Sequence, residues 1–447
     1  MADETSSVPV IAVTAAVGAV VLLFILLCGI GRKEQKEEEQ EQSEEPKRTE
    51  KTNEKSSKKT KVILKGKKAA HPAFTHQWLA GTLKGHGSPI LAFDFSPNGK
   101  YVLTCAEDRS LMLWSVKEFL QKEHKFIRGS VELDHATKLA FSPDSRAIVA
   151  SLGNANIIRI FRLGKKEDGS SVTIQGAMDF PQHHSVEILC IGIASNGKFI
   201  MTCHRDTTII IYNLKGEVLS RIDTHQMSNS FGAVSPCGRF VGSSGFTPDV
   251  KVWEVLFDKS GTFKEVKRAY ELKGHGAGVH SFSFSNDSSR MASVSKDGTW
   301  KFWDTDVRYE FDQDPKLLYT GKLSHPSLHL ITLSPDGRSV AIAGDLSISI
   351  CSTVSGKEEE YFENVHADAI SQIGFDVGSK FLLSAGDKHV QVIHNVTGYR
   401  ATIADLEQKE KKANTEAMRE RIRNQIKDAR SSLSVILGTT NGHADSK

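Results

Sequence analysis

Cysteine is scarce in this chain of 447 residues, and its six copies lie far apart. There is no Cys-x-x-Cys pair, so the usual zinc-binding spacings are absent and nothing suggests a disulfide framework. Cys28 falls within an apolar stretch, and the others are scattered from Cys105 to Cys351. Reduced thiols of this kind are typical of a protein that faces the cytosol.

The motifs of the common enzyme classes are missing as well. The sequence contains no phosphate-binding loop, no His-Glu-x-x-His, no Gly-x-Ser-x-Gly and no kinase loop. The glycines of 274–278 fall in a loop between repeats and do not open a helix after a strand. We therefore predict a protein without catalytic activity, and we expect no cofactor, no metal ion and no small-molecule substrate.

Charge is absent from residues 8–31, a run of 24 residues. A helix rising about 1.5 Å per residue would extend about 36 Å, enough for a bilayer core of about 30 Å. Arg32 and Lys33 follow the run and no basic residue precedes it, so the positive-inside rule places the following chain in the cytosol. A cleaved secretory signal is disfavoured because acidic residues precede the run. We predict a single-pass anchor with a luminal N-terminus.

Large apolar residues are nearly absent from residues 32–70, which predicts a charged, disordered linker. Its second part, 47–68, holds ten Lys or Arg residues and two Glu residues. Such a stretch has three interpretations: it lies on anionic lipid, it contacts RNA or the ribosome, or it is a solvated tether. No aromatic residue is present there to stack on bases, which weakens the RNA interpretation.

After the linker, one pattern recurs seven times with spacings of about 41 to 52 residues, the length of a four-stranded propeller blade. The anchor residues of the pattern are Phe95, Phe141, Ile193, Val234, Phe284, Leu333 and Phe375. Each is followed by a turn, such as the Ser-Pro-Asn-Gly of 96–99, and then by alternating apolar residues. We predict an all-β, seven-bladed propeller over residues 71–402, with 74–83 supplying a strand to the last blade.

A histidine, a turn Asp or Asn and an aromatic residue recur together in several of these blades. The histidines lie about nine residues before most anchors at His86, His184, His225, His275 and His366, and slightly closer at His135 and His325. The two fullest sets are His86, Asp108 and Trp114 in blade one and His275, Asp297 and Trp303 in blade five. They resemble the WD40 repeat, and the resemblance implies a buried hydrogen-bond chain that also uses a strand hydroxyl, here Ser293 or Ser295. Because every blade needs the same internal support, this structural interpretation is favoured over metal ligation or a proton relay. Blades six and seven depart from the pattern, with Cys351 and His394 in place of the tryptophan.

The order of parts and several distinctive segments are similar to the transducin beta-like family of WD40 proteins. The segments include Val131-Glu-Leu-Asp-His-Ala-Thr137 and Gly245-Phe-Thr-Pro-Asp249. The resemblance implies a scaffold at the endoplasmic reticulum in the unfolded-protein and nutrient-stress response. Its implied partners are the resident stress kinase and translation components or mRNA. The alternative is a membrane-bound guanine-nucleotide exchange factor for a small GTPase, although the potassium-binding loop of that class is not identified in blade one.

Proline and glycine are absent from 405–437, where apolar residues recur at helical spacing. The apolar seam consists of Ile422, Ile426, Ala429, Leu433 and Ile436. We predict an amphipathic helix over 403–437, followed by a disordered tail, 438–447. The helix either folds against the propeller or pairs with a second helix in a dimer or partner.

Three charged residues lie beside the turn aspartates of blades one, three and five: Glu107, Arg205 and Lys296. We expect them around the central channel, where charge can contribute selectivity for a partner protein or can serve solubility alone. Two glycosylation sequons, at Asn286 and Asn395, would be used only if the propeller were luminal.

Overall fold

A computed structural model describes residues 73–165 and 172–438. The predicted membrane anchor at 8–31, the linker at 32–70 and nearly all of the predicted tail lie outside these ranges. Within them, no helix combines the length and the apolar character that crossing a membrane requires.

The described chain forms seven antiparallel sheets of four strands, which we call blades. The first strand, β1 (Leu79–Lys84), belongs to the last blade, and each of the following blades is built from consecutive strands. Blade one contains β2 (Ile90–Phe95), β3 (Tyr101–Ala106), β4 (Ser110–Ser115) and β5 (Phe126–Ser130). Blade two contains β6 (Ala136–Phe141), β7 (Ala147–Leu152), β8 (Ile158–Lys165) and β9 (Val172–Asp179). Blade three contains β10 (Ile188–Ile193), β11 (Ile200–His204), β12 (Thr208–Tyr212) and β13 (Val218–Asp223).

The remaining blades repeat this order. Blade four contains β14 (Asn229–Val234), β15 (Phe240–Gly245), β16 (Asp249–Phe257) and β17 (Phe263–Lys273). Blade five contains β18 (Val279–Phe284), β19 (Arg290–Ser295), β20 (Thr299–Asp304) and β21 (Lys316–Lys322). Blade six contains β22 (Leu330–Leu333), β23 (Ser339–Gly344), β24 (Ser347–Ser352) and β25 (Glu358–Phe362). Blade seven contains β26 (Gln372–Phe375), β27 (Phe381–Ala385), β28 (His389–His394) and, at its edge, β1.

The first strands of successive blades are neighbours around the ring, from β2 through β6, β10, β14, β18 and β22 to β26, which returns to β2. Each of the seven predicted anchor residues is the last residue of one of these inner strands. The prediction of a seven-bladed propeller is therefore confirmed. The inner strands surround a central channel, with the first turn of every blade at one end and the entry loops at the other.

The ring is closed by the first strand, as predicted. β1 pairs antiparallel with β28, with Leu83 opposite Val390, and completes the sheet in the order β1-β28-β27-β26. Just before it, Trp78 is only 3% exposed and packs against Phe362 of blade six. Residues from the two ends of the propeller thus share one sheet and one apolar core.

The C-terminal segment is helical but differs from the single helix predicted over 403–437. It forms two helices, α1 (Val396–Lys412) and α2 (Glu416–Ile436), so the last propeller strand ends before residue 402. The Asn395 side chain caps α1 by accepting from the Gly398 N–H at 3.0 Å. The chain is extended at Ala413, and the Thr415 hydroxyl caps α2 by accepting from the Met418 N–H.

Residues of the predicted apolar seam pack against other parts of the same chain. Ile422 and Ile426 of α2 pack against partly buried apolar residues of α1. Leu433 and Ile436, further along α2, pack against the core that contains Trp78. The helix pair therefore folds back on the propeller, which is the first of the two alternatives for the seam.

Candidate partner-binding face and the buried braces beneath it

Blade five contains a buried chain of four side chains, which we call a brace. His275 lies 3.0 Å from Asp297 through Nδ1 and 2.8 Å from the Ser293 hydroxyl through Nε2. The Trp303 indole donates to the same hydroxyl at 2.9 Å. Burial lowers the pKa of His275, so the ring is neutral at pH 7. Nδ1–H therefore donates to the carboxylate, and Nε2 accepts the Ser293 proton.

The carboxylate end of this brace is strongly stabilised as an anion. Burial alone would raise the pKa of Asp297, but hydrogen bonds from Thr299, the Gly276 amide and His275 outweigh it and hold the pKa at about 2. Ser295, the other candidate hydroxyl, donates to the backbone carbonyl of Ala277 at 2.9 Å and does not contact the imidazole. Ser293 is thus the hydroxyl of the blade-five brace.

Blade one has the same arrangement. His86 contacts Asp108 at 3.2 Å and the Thr104 hydroxyl at 2.7 Å, and Trp114 donates to that hydroxyl at 3.0 Å. The sequence reasoning did not name Thr104. Its position in the repeat could have identified it, because Thr104 occupies in β3 the place that Ser293 occupies in β19.

Other blades keep only parts of the brace. Blade seven retains contacts of His366 with Asp387 at 3.3 Å and with the Ser384 hydroxyl at 3.0 Å, but has no tryptophan. Blade three retains the contact of His184 with Asp206 at 2.8 Å. The braces are therefore uneven around the ring.

Three of the recurring histidines lie outside any brace, contrary to the sequence pattern. The His225 side chain is largely exposed and lies 3.2 Å from Asp223 of its own loop. His325 is exposed and contacts the nearby Ser327. In blade two the organising group is Asp134, which precedes His135 and accepts backbone N–H groups of the next turn.

The predicted partner-binding residues occupy equivalent positions. Each is the first residue after the second strand of its blade, and its N–H donates to a carbonyl just before the inner strand, at 3.0–3.2 Å. We call this set of positions the rim. Its members are Glu107, Gly153, Arg205, Phe246, Lys296, Asp345 and Gly386.

The three predicted rim side chains differ in whether they form an ion pair. Glu107, Arg205 and Lys296 are all exposed. Arg205 contacts the Glu187 carboxylate at 2.6 Å, whereas Glu107 and Lys296 form no ion pair within residues 73–165 and 172–438. Of the three predicted residues, Arg205 is thus paired and Glu107 and Lys296 are not, and Asp345 is a fourth exposed charged residue of the rim.

The same face carries apolar residues that sequence reasoning missed. Phe246 of the rim is 57% exposed, Met227 of the blade-four entry loop is 73% exposed and Leu133 of the blade-two entry loop is 91% exposed. Leu133 and Met227 also have left-handed backbones, with φ of 63° and 62°. Such a conformation costs an L-residue about 1 kcal/mol or more. The sequence did contain a signal for two of these residues, because Leu133 and Phe246 lie in the distinctive segments 131–137 and 245–249.

Comparison with known proteins agrees with this geometry. The WD40 model (WD domain, G-beta repeat) matches residues 77–115, 177–213 and 266–304. These ranges cover the inner three strands of blades one, three and five. All three of these blades place a histidine against the turn aspartate and end the pattern in an aromatic residue. The family model thus matches the two blades with complete braces, one and five, and blade three, which keeps the contact between histidine and aspartate.

Several curated proteins are similar to the chain. Transducin beta-like protein 2 of Mus musculus is 51% identical over 372 residues, which cover 83% of this chain and 84% of that protein. Transducin beta-like protein 2 of Homo sapiens is 50% identical over 373 residues, which cover 83% of each chain. A WD repeat-containing protein 26 homolog of Arabidopsis thaliana is 23% identical over 293 residues. At half identity over most of both lengths, the chain belongs to the transducin beta-like protein 2 family.

Proposed function

We propose that the protein is a membrane-anchored, non-enzymatic WD40 scaffold of the endoplasmic reticulum, with its propeller in the cytosol. In this role it links the stress kinase of the unfolded-protein and nutrient-stress response to translation components or mRNA. Support comes from the family, from the charge-free run at 8–31 and from the basic segment that follows it. The rigid propeller is the part that would bind proteins.

The observation that carries the proposal is the composition of the rim face. Buried braces hold the loops of blades one and five beneath the exposed Glu107 and Lys296, and Phe246 of blade four is exposed on the same face. An apolar residue beside charges of both signs is typical of a protein-binding surface, in which apolar contact supplies affinity and charge supplies selectivity.

Partner recovery tests the rim. We would purify the full chain from microsomes with Glu107, Arg205 and Lys296 all changed to alanine and measure the recovered stress kinase by immunoblot. The matched control changes Lys122, Glu123 and Lys215, which are exposed in loops at the opposite end of the blades and carry the same charges. We expect recovery to fall about tenfold in the rim variant alone, which corresponds to about 1.4 kcal/mol. Equal recovery from both variants would remove the rim from the proposal.

Protease protection in intact microsomes tests the membrane orientation. Digestion of the propeller without a glycan shift would support a cytosolic propeller. Of the two sequons, only Asn286 is exposed, because Asn395 is buried and its amide donates to the Ser379 carbonyl at 2.9 Å. Protection with a glycan on Asn286 would overturn the cytosolic assignment. An accelerated release of nucleotide from a small GTPase would instead favour the exchange-factor alternative.

A further inference from the structure

A cavity opens at the end of the central channel away from the rim. Its volume is about 190 Å³, and it is lined by the ends of the inner strands of blades one, five, six and seven. Phenylalanine dominates the lining, with Phe93, Phe95, Phe284 and Phe375. Pockets that hold drug-sized ligands usually exceed about 300 Å³, so this one suits a single side chain.

The lining includes one ionisable group, Asp94. Its two carboxylate oxygens accept the Phe95 N–H at 2.9 Å and the Phe141 N–H at 2.7 Å. A carboxylate offers about four lone-pair sites, so two hydrogen bonds leave acceptor capacity. Asp94 forms no ion pair within the part of the chain that the structure describes, and burial raises its pKa to about 7. The carboxyl group is therefore held in place by amides without a compensating positive charge.

A lining of phenylalanine and a carboxyl group without a partner cation favour the same kind of ligand. Ring faces attract cations, and the attraction grows when the cation is desolvated. An ammonium group is compact and strongly hydrated, whereas a guanidinium group is planar, more weakly hydrated and able to stack on rings. Asn286 and Thr332, which also line the cavity, can accept hydrogen bonds from the remaining guanidinium N–H groups.

We infer that this end of the channel binds the side chain of an arginine that a partner protein inserts between the four phenylalanines and Asp94. The contact is separate from the rim, because the cavity is lined by the ends of the inner strands and by first-turn residues such as Pro236 and Pro335. A single partner would have to extend around the propeller to contact both the rim and the cavity, and otherwise two different proteins would bind. The inference therefore stands whether or not the rim binds the stress kinase.

Calorimetric titration of the purified full chain with N-acetyl-arginine amide tests this inference. We expect saturable binding of one molecule per chain, with the matching lysine compound bound several-fold more weakly. Asp94→Asn removes the charge at nearly constant size and should weaken binding about tenfold or more. Asp314→Asn, the same change at an exposed residue between β20 and β21, should leave binding unchanged.

A second variant keeps the test decisive if Asp94→Asn fails to fold. Phe375→Leu retains an apolar side chain but removes one ring, and it should weaken arginine binding about threefold or more. Circular dichroism would establish that each variant is folded. If the unaltered chain shows no saturable binding at concentrations of the arginine compound up to about 10 mM, the inference is overturned, because a recognition site needs a higher affinity than that. Equal affinities in the folded Asp94→Asn variant and the Asp314→Asn control would also overturn it.

Discussion

Replacing Ser293 by alanine removes the central atom of the blade-five brace. The Ser293 hydroxyl accepts from the Trp303 indole and donates to His275, and all three side chains are almost completely buried. The alanine variant therefore leaves a buried N–H donor and a buried nitrogen acceptor without partners. No water is expected to replace a single hydroxyl in so closely packed a site.

The cost follows from those two unpaired groups. A buried donor or acceptor that loses its partner costs about 1–3 kcal/mol. Two such groups give about 2–6 kcal/mol, and partial relaxation favours the lower half of this range. The cavity left by one hydroxyl adds little, because serine and alanine differ by a single oxygen atom. We expect the free energy of unfolding to fall by about 3 kcal/mol.

Urea denaturation followed by tryptophan fluorescence measures this change, with an unchanged m-value as the sign that the unfolded states are comparable. Ser295→Ala is the matched control. Ser295 lies two residues further along β19 and is equally buried, but it bonds only to backbone groups. Its hydroxyl donates to the carbonyls of Ala277 and Gly278 and accepts the Asp297 N–H at 3.2 Å. Its loss should cost about 1 kcal/mol. If Ser293→Ala costs no more than Ser295→Ala, the brace is not a cooperative unit and the reasoning fails.

Three further predictions concern ring closure, acid stability and the helix cap. Trp78→Ala should destabilise the propeller by about 3–5 kcal/mol and expose β1 to limited proteolysis, whereas alanine at the exposed Lys84 should do neither. Burial lowers the pKa of His280 to about 4, so its contribution to stability is present above pH 6.5 and is lost as the pH falls towards 4. Because that side chain is only partly buried, we expect a loss of about 1–2 kcal/mol in acid titrations of thermal stability, and His280→Gln should reduce this slope. Asn395→Ala removes the cap of α1 and should cost about 1–2 kcal/mol, with faster amide exchange in the first turn of that helix as its local sign.

The propeller was predictable from the sequence because its signals are local and repeated. Turn residues such as those of 96–99 follow each inner strand, and seven similar spacings identify the ring before any single strand is assigned. The C-terminal helices were harder, because residues 413–415 separate them without a proline or a glycine. The break depends on the Thr415 cap and on packing against α1, and neither interaction repeats along the chain.

The brace residues were predictable only where the full set is present. A histidine at the expected offset identified His86 and His275 but also His225, which lies on the surface. The offset alone cannot distinguish these cases, because burial of the imidazole depends on a hydroxyl on the second strand and a carboxylate in the next turn. Exposed residues such as Phe246 were missed because the sequence does not show whether an apolar side chain is covered by other parts of the fold.

Braces and rim are coupled by the turn aspartates. Asp297 accepts the Gly276 N–H of the entry loop at 2.8 Å and the Thr299 N–H of its own turn at 2.9 Å, so one carboxylate holds two loops together. Asp108 does the same in blade one. The adjacent rim residue, Lys296 or Glu107, is thereby presented on a backbone fixed from below. Because this backbone is already ordered, binding of a partner to these side chains costs less conformational entropy than binding to a mobile loop would.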